Sequence, residues 1–279
     1  MFSQIVVPLD GSAVAARALR PAAVIARSVD SPIVVVGYAA EHYVDDLRRQ
    51  VAAEISDAEL SGVTVQVTVE ATTRPVSDRL AEVMDATPNS LICMSSTGRG
   101  RTGAIFGSVA EGVLGARFGP VLLLGPECDV ARFELGGRLV VPLDGSDTSE
   151  SILPIAAGWS IVFHYHPELV AVADPSAPGV LAAAARGGAD AGSESSYVHR
   201  MAEELSDEIG ISVDFDVLHH DHAVEGIVEH LRDSDAALVA ISTHGATGLA
   251  RLVAGSVAMG VVHRSPCPVL VHRPPHLQE

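Results

Sequence analysis

Apolar positions in the first half of the chain fall into short runs separated by segments with helical spacing. Gln4–Leu9, Ile33–Tyr38, Ser90–Ser95 and Pro120–Leu124 are runs of strand length, and Val63–Glu70 alternates polar with apolar. Between them, Ala13–Ser28, Val44–Leu60, Val76–Ala86 and Ser108–Ala116 carry apolar residues at helical intervals. Continuously apolar strands alternating with helices of this length predict βαβ units and a parallel sheet covered on both faces. The second half repeats the rhythm, with strands expected at Leu139–Leu143, Glu168–Ala173, Ile211–Leu218, Ala236–Ser242 and Pro268–Val271. Residues 174–196, rich in Ala, Gly, Ser and Pro, read as a long loop with a short helix at Val180–Arg186.

The likeness of the halves extends to sequence. VVPLDGS begins at Val6 and again at Val140, FGSVAEGV from Phe106 echoes AGSVAMGV from Ala254, and GPVLLLGP from Gly119 echoes CPVLVHRP from Cys267. Three landmarks in one order identify a tandem repeat. The repeat divides the chain into domains at 1–127 and 136–279, joined near Pro126–Gly137. The fold class expected is α/β, two doubly wound five-stranded parallel sheets. The closing strands, Pro120–Leu124 and Pro268–Val271, are expected at sheet edges, where exposed apolar strands are normally paired. They would meet each other within the chain or across a homodimer.

Composition then removes several functions. All 18 basic side chains are Arg. Without lysine there is no Walker A loop, no kinase strand lysine and no Schiff-base lysine. A net charge of −17 opposes nucleic acid and anionic membranes as partners. The apolar runs fall well short of the ~20 residues of a membrane-spanning helix. Three isolated cysteines, Cys93, Cys128 and Cys267, fit reduced thiols, and with no leader apparent at the start of the chain the expected location is the cytoplasm. His219, His220 and His222 lie on one extended segment, where alternating side chains make a poor metal site, so no metal ligand is assigned.

Two features carry candidate chemistry in each half. Asp10 and Asp144 follow the first strand in Pro-Leu-Asp-Gly-Ser, at the carboxyl end where open α/β sheets bind ligands. Asp-Gly-Ser also suits a turn and helix N-cap. The second feature is a glycine-bearing loop after the fourth strand that opens a helix, a ready anion site. In the second half it runs from Ser242 through Gly245 to Gly255, Ser256 and Val257, and in the first from Ser95 through Gly98 to Gly107, Ser108 and Val109. Nine residues separate Gly245 from Gly255, but only eight separate Gly98 from Gly107, so the first site is expected to be the weaker.

The set VVPLDGS, ISTHGATGLARLVAGSVAMGVV and SPCPVLV resembles the universal stress protein family over nearly all of both halves. The resemblance implies the strand order 3-2-1-4-5 and ATP, alone or with Mg, as ligand. It sets Pro142, Asp144 and the Val172 backbone near adenine, Ser242 at the ribose, and Gly245, Gly255, Ser256 and Val257 at the phosphates. Pro8, Asp10, Ser95, Gly98, Gly107, Ser108 and Val109 hold the matching positions of the first half. Ser242 and Ser95 depart from the family motif, which has glycine there. The function expected is a nucleotide-dependent stress-response module with at most weak ATPase activity. The rivals are a slow ATPase or adenylate-using enzyme on this fold, and a dimerisation scaffold without ligand.

Overall fold

The computed structural model describes residues 2–98, 107–115, 119–173, 194–243 and 255–273. The first half comprises β1 (Gln4–Pro8), α1 (Ala13–Ala16), α2 (Leu19–Val29), β2 (Ile33–Ala39), α3 (Val44–Asp57), β3 (Val65–Ala71), α4 (Val76–Ala86), β4 (Ser90–Ser95), α5 (Ser108–Gly115) and β5 (Val121–Leu124). The second comprises β6 (Gly137–Pro142), α6 (Asp147–Glu150), α7 (Leu153–Phe163), β7 (Tyr165–Ala173), α8 (Glu194–Ile209), β8 (Asp214–His219), α9 (Ala223–Asp233), β9 (Leu238–Ser242), α10 (Ser256–Arg264) and β10 (Val269–His272). The segment expected as one helix over 13–28 is two, α1 and α2. The short helix expected at 180–186 lies outside the described residues.

Both halves have the strand order 3-2-1-4-5, but they form one sheet of ten strands, β3-β2-β1-β4-β5-β10-β9-β6-β7-β8. Pairing is parallel within each half and antiparallel between β5 and β10. Leu122 faces Leu270, and Val121 and Leu123 face Val271 and Val269. Since the repeat aligns Leu122 with Leu270, equivalent residues meet about a pseudo-twofold axis. The closing strands thus satisfy each other's backbone groups within the chain.

Neighbouring residues of each strand feed opposite faces. Ile5 and Val7 join a core with the helices α2, α3, α7 and α8, whereas Val6 joins one with α4, α5, α9 and α10. Each core runs through both halves, so the repeat units do not have separate interiors. Turns recur as well: Asp30 and His164, and Gly11 and Gly145, are left-handed pairs at matching positions, and the turns before β4 and β9 each hold a left-handed residue, Asn89 and Asp235.

Where the halves meet, Gly125 and Arg273 hold equivalent places after their closing strands. Arg273 donates to the carbonyls of Leu114 and Gly115 at the end of α5. On the other side of the axis a Cβ at Gly125 would come within 1.8 Å of the Val262 carbonyl oxygen of α10. Gly125 is therefore required by close approach of backbone to backbone. Gly125→Ala is expected to cost about 1–3 kcal/mol. Gly158→Ala in α7, where a Cβ would meet nothing within 4 Å, should instead gain about 0.5–1 kcal/mol from helix propensity. Urea denaturation of the two variants checks the contrast, which fails if both move stability the same way.

Candidate functional site

The chain leaves β1 at Pro8 and turns at once into α1. Asp10 Oδ1 accepts from the Ser12 amide (3.0 Å) and hydroxyl (2.5 Å), and Ser12 Oγ accepts from the Ala15 amide (3.2 Å), capping α1. Asp144, Ser146 and Ser149 repeat this arrangement at 3.1, 2.6 and 3.1 Å. The turn-and-cap reading of Asp-Gly-Ser thus holds in both halves. It is compatible with a binding role, because the turn holds the carboxylate at the strand end.

In the first half Asp10 borders a cleft of about 170 Å³ at the carboxyl ends of β1, β2 and β4. Pro8, Asp10, Ser95, Gly98, Gly107, Ser108 and Val109, all singled out from sequence, line it together. Gly98 lies so close to Asp10 that a Cβ there would sit 2.7 Å from Oδ2. In the second half Pro142 ends β6, Asp144 follows it, Val172 lies near the end of β7 and Ser242 ends β9, while Gly255, Ser256 and Val257 open α10. Gly245 lies outside the described residues.

Both glycine loops close on the same bond. The Gly107 amide donates to the Ser96 carbonyl at 2.8 Å, and the Gly255 amide donates to the Thr243 carbonyl. Both helix starts therefore hold equivalent places, although the first loop is one residue shorter in sequence. The two serines that replace glycine point elsewhere. Ser95 donates to the Val14 carbonyl at 2.5 Å, and the Ser242 and Ser151 hydroxyls are 3.0 Å apart. Ser96, fully buried in the cleft wall, has a hydroxyl with no hydrogen-bond partner.

Sequence reasoning overlooked Tyr38. Pro8 pairs with Val36 and Pro142 with Val170, so the register makes Tyr38 the counterpart of Val172. Its ring lines the cleft, and the Arg79 guanidinium lies 5.4 Å from the ring centroid. Arg79 is held in turn by Glu70 at 2.9 Å and by Glu82. Burial pushes the Tyr38 hydroxyl above its ordinary value, so it is neutral at pH 7 and able to donate. Aligning the repeats strand by strand would have found it.

A family model described as the universal stress protein family matches residues 1–124 and 137–273. The chain belongs to the universal stress protein family. A universal stress protein of Methanocaldococcus jannaschii is 29% identical over 143 residues, covering 50% of this chain and 82% of that protein. Among solved structures, a universal stress protein of Archaeoglobus fulgidus has a TM-score of 0.70 at 20% identity, covering 97% of this chain and 98% of that one. A functionally unknown protein of Pseudomonas aeruginosa has a TM-score of 0.67 at 18% identity, covering 99% and 94%. These structures share the fold of this tandem universal stress protein, both halves included.

Other residues noted from sequence have quieter places in the universal stress protein fold. Burial raises all three thiols, Cys128 to about 12 and Cys267 to about 11, which keeps them protonated. The His222 amide donates to His220 Nδ1 at 2.9 Å, a local turn before α9. Among the described residues no three His, Cys, Asp or Glu side chains are placed to hold a metal ion, and no helix is long and apolar enough to cross a membrane.

One ionic cluster, centred on the buried Glu168, lies away from the cleft. Glu168 on β7 meets His230 of α9 at 3.0 Å and Arg138 of β6 at 2.8 Å, and Asp214 lies 4.0 Å from Arg138. Burial alone would raise the Glu168 carboxyl, but hydrogen bonds from His230 and Arg138 outweigh it and hold the group below its ordinary value. The hydrogen bond to Glu168 holds His230 above its own, against burial. A depressed carboxylate stabilises above its unfolded pKa, and a raised histidine stabilises below its unfolded pKa. Both contributions are therefore complete between the ordinary values of 4.5 and 6.5. His230→Gln should lose about 1–3 kcal/mol in that window, and the loss should shrink as pH rises through the raised His230 value. Urea midpoints measured across pH 4–9 check this, and a difference independent of pH would contradict it.

Proposed function

We propose that each half of this protein binds an adenine nucleotide, ATP, and that the bound state serves stress-response regulation. The observation that carries this reading is the convergence, in one cleft, of a strand-end carboxylate, a helix opened by Gly-Ser and a glycine packed against that carboxylate. The Gly107–Ser108 and Gly255–Ser256 helix starts offer amide groups and a positive dipole end to phosphate. Asp10 and Asp144 offer acceptors to the base or ribose. Tyr38 offers a face for the base in the first half, where Val172 stands in the second. The cleft is smaller than the roughly 300–1,000 Å³ of a site enclosing a drug-sized ligand. It suits the base end, with the phosphates at the glycine loop.

Calorimetric titration with ATP tests each half within the full chain. Gly255→Glu should abolish the second site by setting a carboxylate among the phosphates, leaving one site per chain. In that background Tyr38→Ala should weaken the first site about 5- to 150-fold, since stacking on an aromatic ring is worth about 1–3 kcal/mol per base. If a folded Gly255→Glu chain keeps two sites of unchanged affinity, the phosphate assignment is wrong.

Binding without rapid turnover is part of the same reading, and the groups lining the cleft support it. Asp10 and Tyr38 are its ionisable members among the described residues. Asp10 is engaged by Ser12, and Tyr38 is neutral, so neither is an activated general base. Hydrolysis should fall well below the ordinary enzyme range of about 1–10³ s⁻¹. Phosphate release within that range, abolished by Asp10→Ala or Asp144→Ala, would replace the binding-module reading with an enzyme.

A further inference from the structure

The repeat supplies its own control for reading the surface. α2 and α7 are equivalent helices, ending on left-handed Asp30 (φ 52°) and His164 (φ 59°). On α2, Arg20 donates to the carbonyls of Val130 (3.0 Å) and Ala131 (2.8 Å), and Arg27 to those of Ser61 (3.0 Å) and Glu59 (2.7 Å). On α7 the aligned residues are Pro154 and Ile161, and Val162 stands where α2 has Ser28. No charged residue occurs between Leu153 and Phe163, yet Ile161 is 52% and Val162 43% exposed. The polar face of one helix has become apolar in its copy.

Alongside that helix lies a cavity of about 560 Å³, between α7 and the amino ends of β1, β4 and β5. Its volume is within the roughly 300–1,000 Å³ typical of small-molecule sites. Phe2, Trp159 and Phe163 build an aromatic wall, with ring centroids 4.9–6.4 Å apart. Asp85 and Asn89, both exposed, supply polar groups at the rim. Gly158 lies on the same cavity, inside a helix, where glycine is costly. A Cβ there would meet nothing within 4 Å, so crowding does not require the glycine, and α2 has Val24 at that position. What the glycine does is keep the space open.

We infer that this cavity binds a small, ring-bearing apolar molecule whose polar end is a hydrogen-bond donor or a cation. The aromatic wall selects rings, and the Asp85 carboxylate on a chain of net charge −17 disfavours an anion. A second copy of the chain is a poorer occupant. Two exposed apolar side chains fall far short of the roughly 1,200 Å² that a stable protein interface buries, whereas a concave wall suits a small ligand. The cavity is at the amino ends of β1, β4 and β5, whereas the proposed nucleotide cleft is at the carboxyl ends of β1, β2 and β4, so the inference stands apart from that reading.

Trp159 is the single tryptophan of the chain and stands in the cavity wall, which makes it a built-in reporter. N-phenyl-1-naphthylamine and 8-anilino-1-naphthalenesulfonate share a ring system, and only the second carries a negative charge. The uncharged amine should quench Trp159 saturably, at one molecule per chain, with a Kd on the order of 10 μM. The sulfonate should bind at least about tenfold more weakly. Gly158→Leu should cut amine affinity about tenfold or more by filling the cavity, and saturating ATP should leave it unchanged. Asp85→Arg, at an exposed side chain that spares the fold, should reverse the preference between the two probes. Unsaturable quenching, equal affinity for both probes, displacement by ATP, or an unchanged preference in Asp85→Arg would each overturn the inference. So would reversible self-association that Val162→Arg removes, because a second copy would then be the occupant.

Discussion

A ladder between two four-residue strands governs the architecture of this protein. Val121–Leu124 and Val269–His272 are each the last strand of their half, and alone each would present a flat apolar edge. Pairing them antiparallel removes both edges and places Leu122 opposite its own counterpart, Leu270. The two hydrophobic cores then run uninterrupted across the junction, and the close approach of Gly125 to α10 becomes possible. Because the ladder is antiparallel, the carboxyl ends of the strands in the two halves point in opposite directions. The two candidate nucleotide sites therefore belong to opposite ends of one sheet.

Within this frame the halves agree where backbone geometry is concerned and differ where side chains meet solvent or ligand. Both use left-handed residues at the same turns, the same aspartate-serine cap and the same amide-to-carbonyl closure of the glycine loop. They part at Tyr38 against Val172, at the Glu168 cluster, whose aligned position in β2 is Val34, and along α2 against α7. The pattern fits a duplicated unit whose scaffold was retained while its surfaces diverged. The apolar exterior of α7 is the largest of these departures. It lies beside the cavity at the junction, a place that a single copy would not possess.

Much of the molecule was legible in the order of its residues, for a physical reason. Apolar runs and helical spacing are local, so strands such as Ser90–Ser95 and the helix Val76–Ala86 carry their own signature. The repeat doubled that information and picked out Asp10, Asp144 and the two Gly-Ser helix starts, because the same turn chemistry occurs twice. Local signals also established the tandem universal stress protein organisation. What they could not carry was direction in space. Ser95 and Ser242 end strands beside the site, but packing turns their hydroxyls toward Val14 and Ser151. Tyr38 reads as the tail of an apolar strand, and only the register of β2 against β1 brings its ring into the cleft. Above all, two five-stranded sheets and one ten-stranded sheet are written with the same strand-length runs. The choice between them depends on a contact between residues almost 150 positions apart, made where two edges can satisfy each other's hydrogen bonds, and only the tertiary structure decides it.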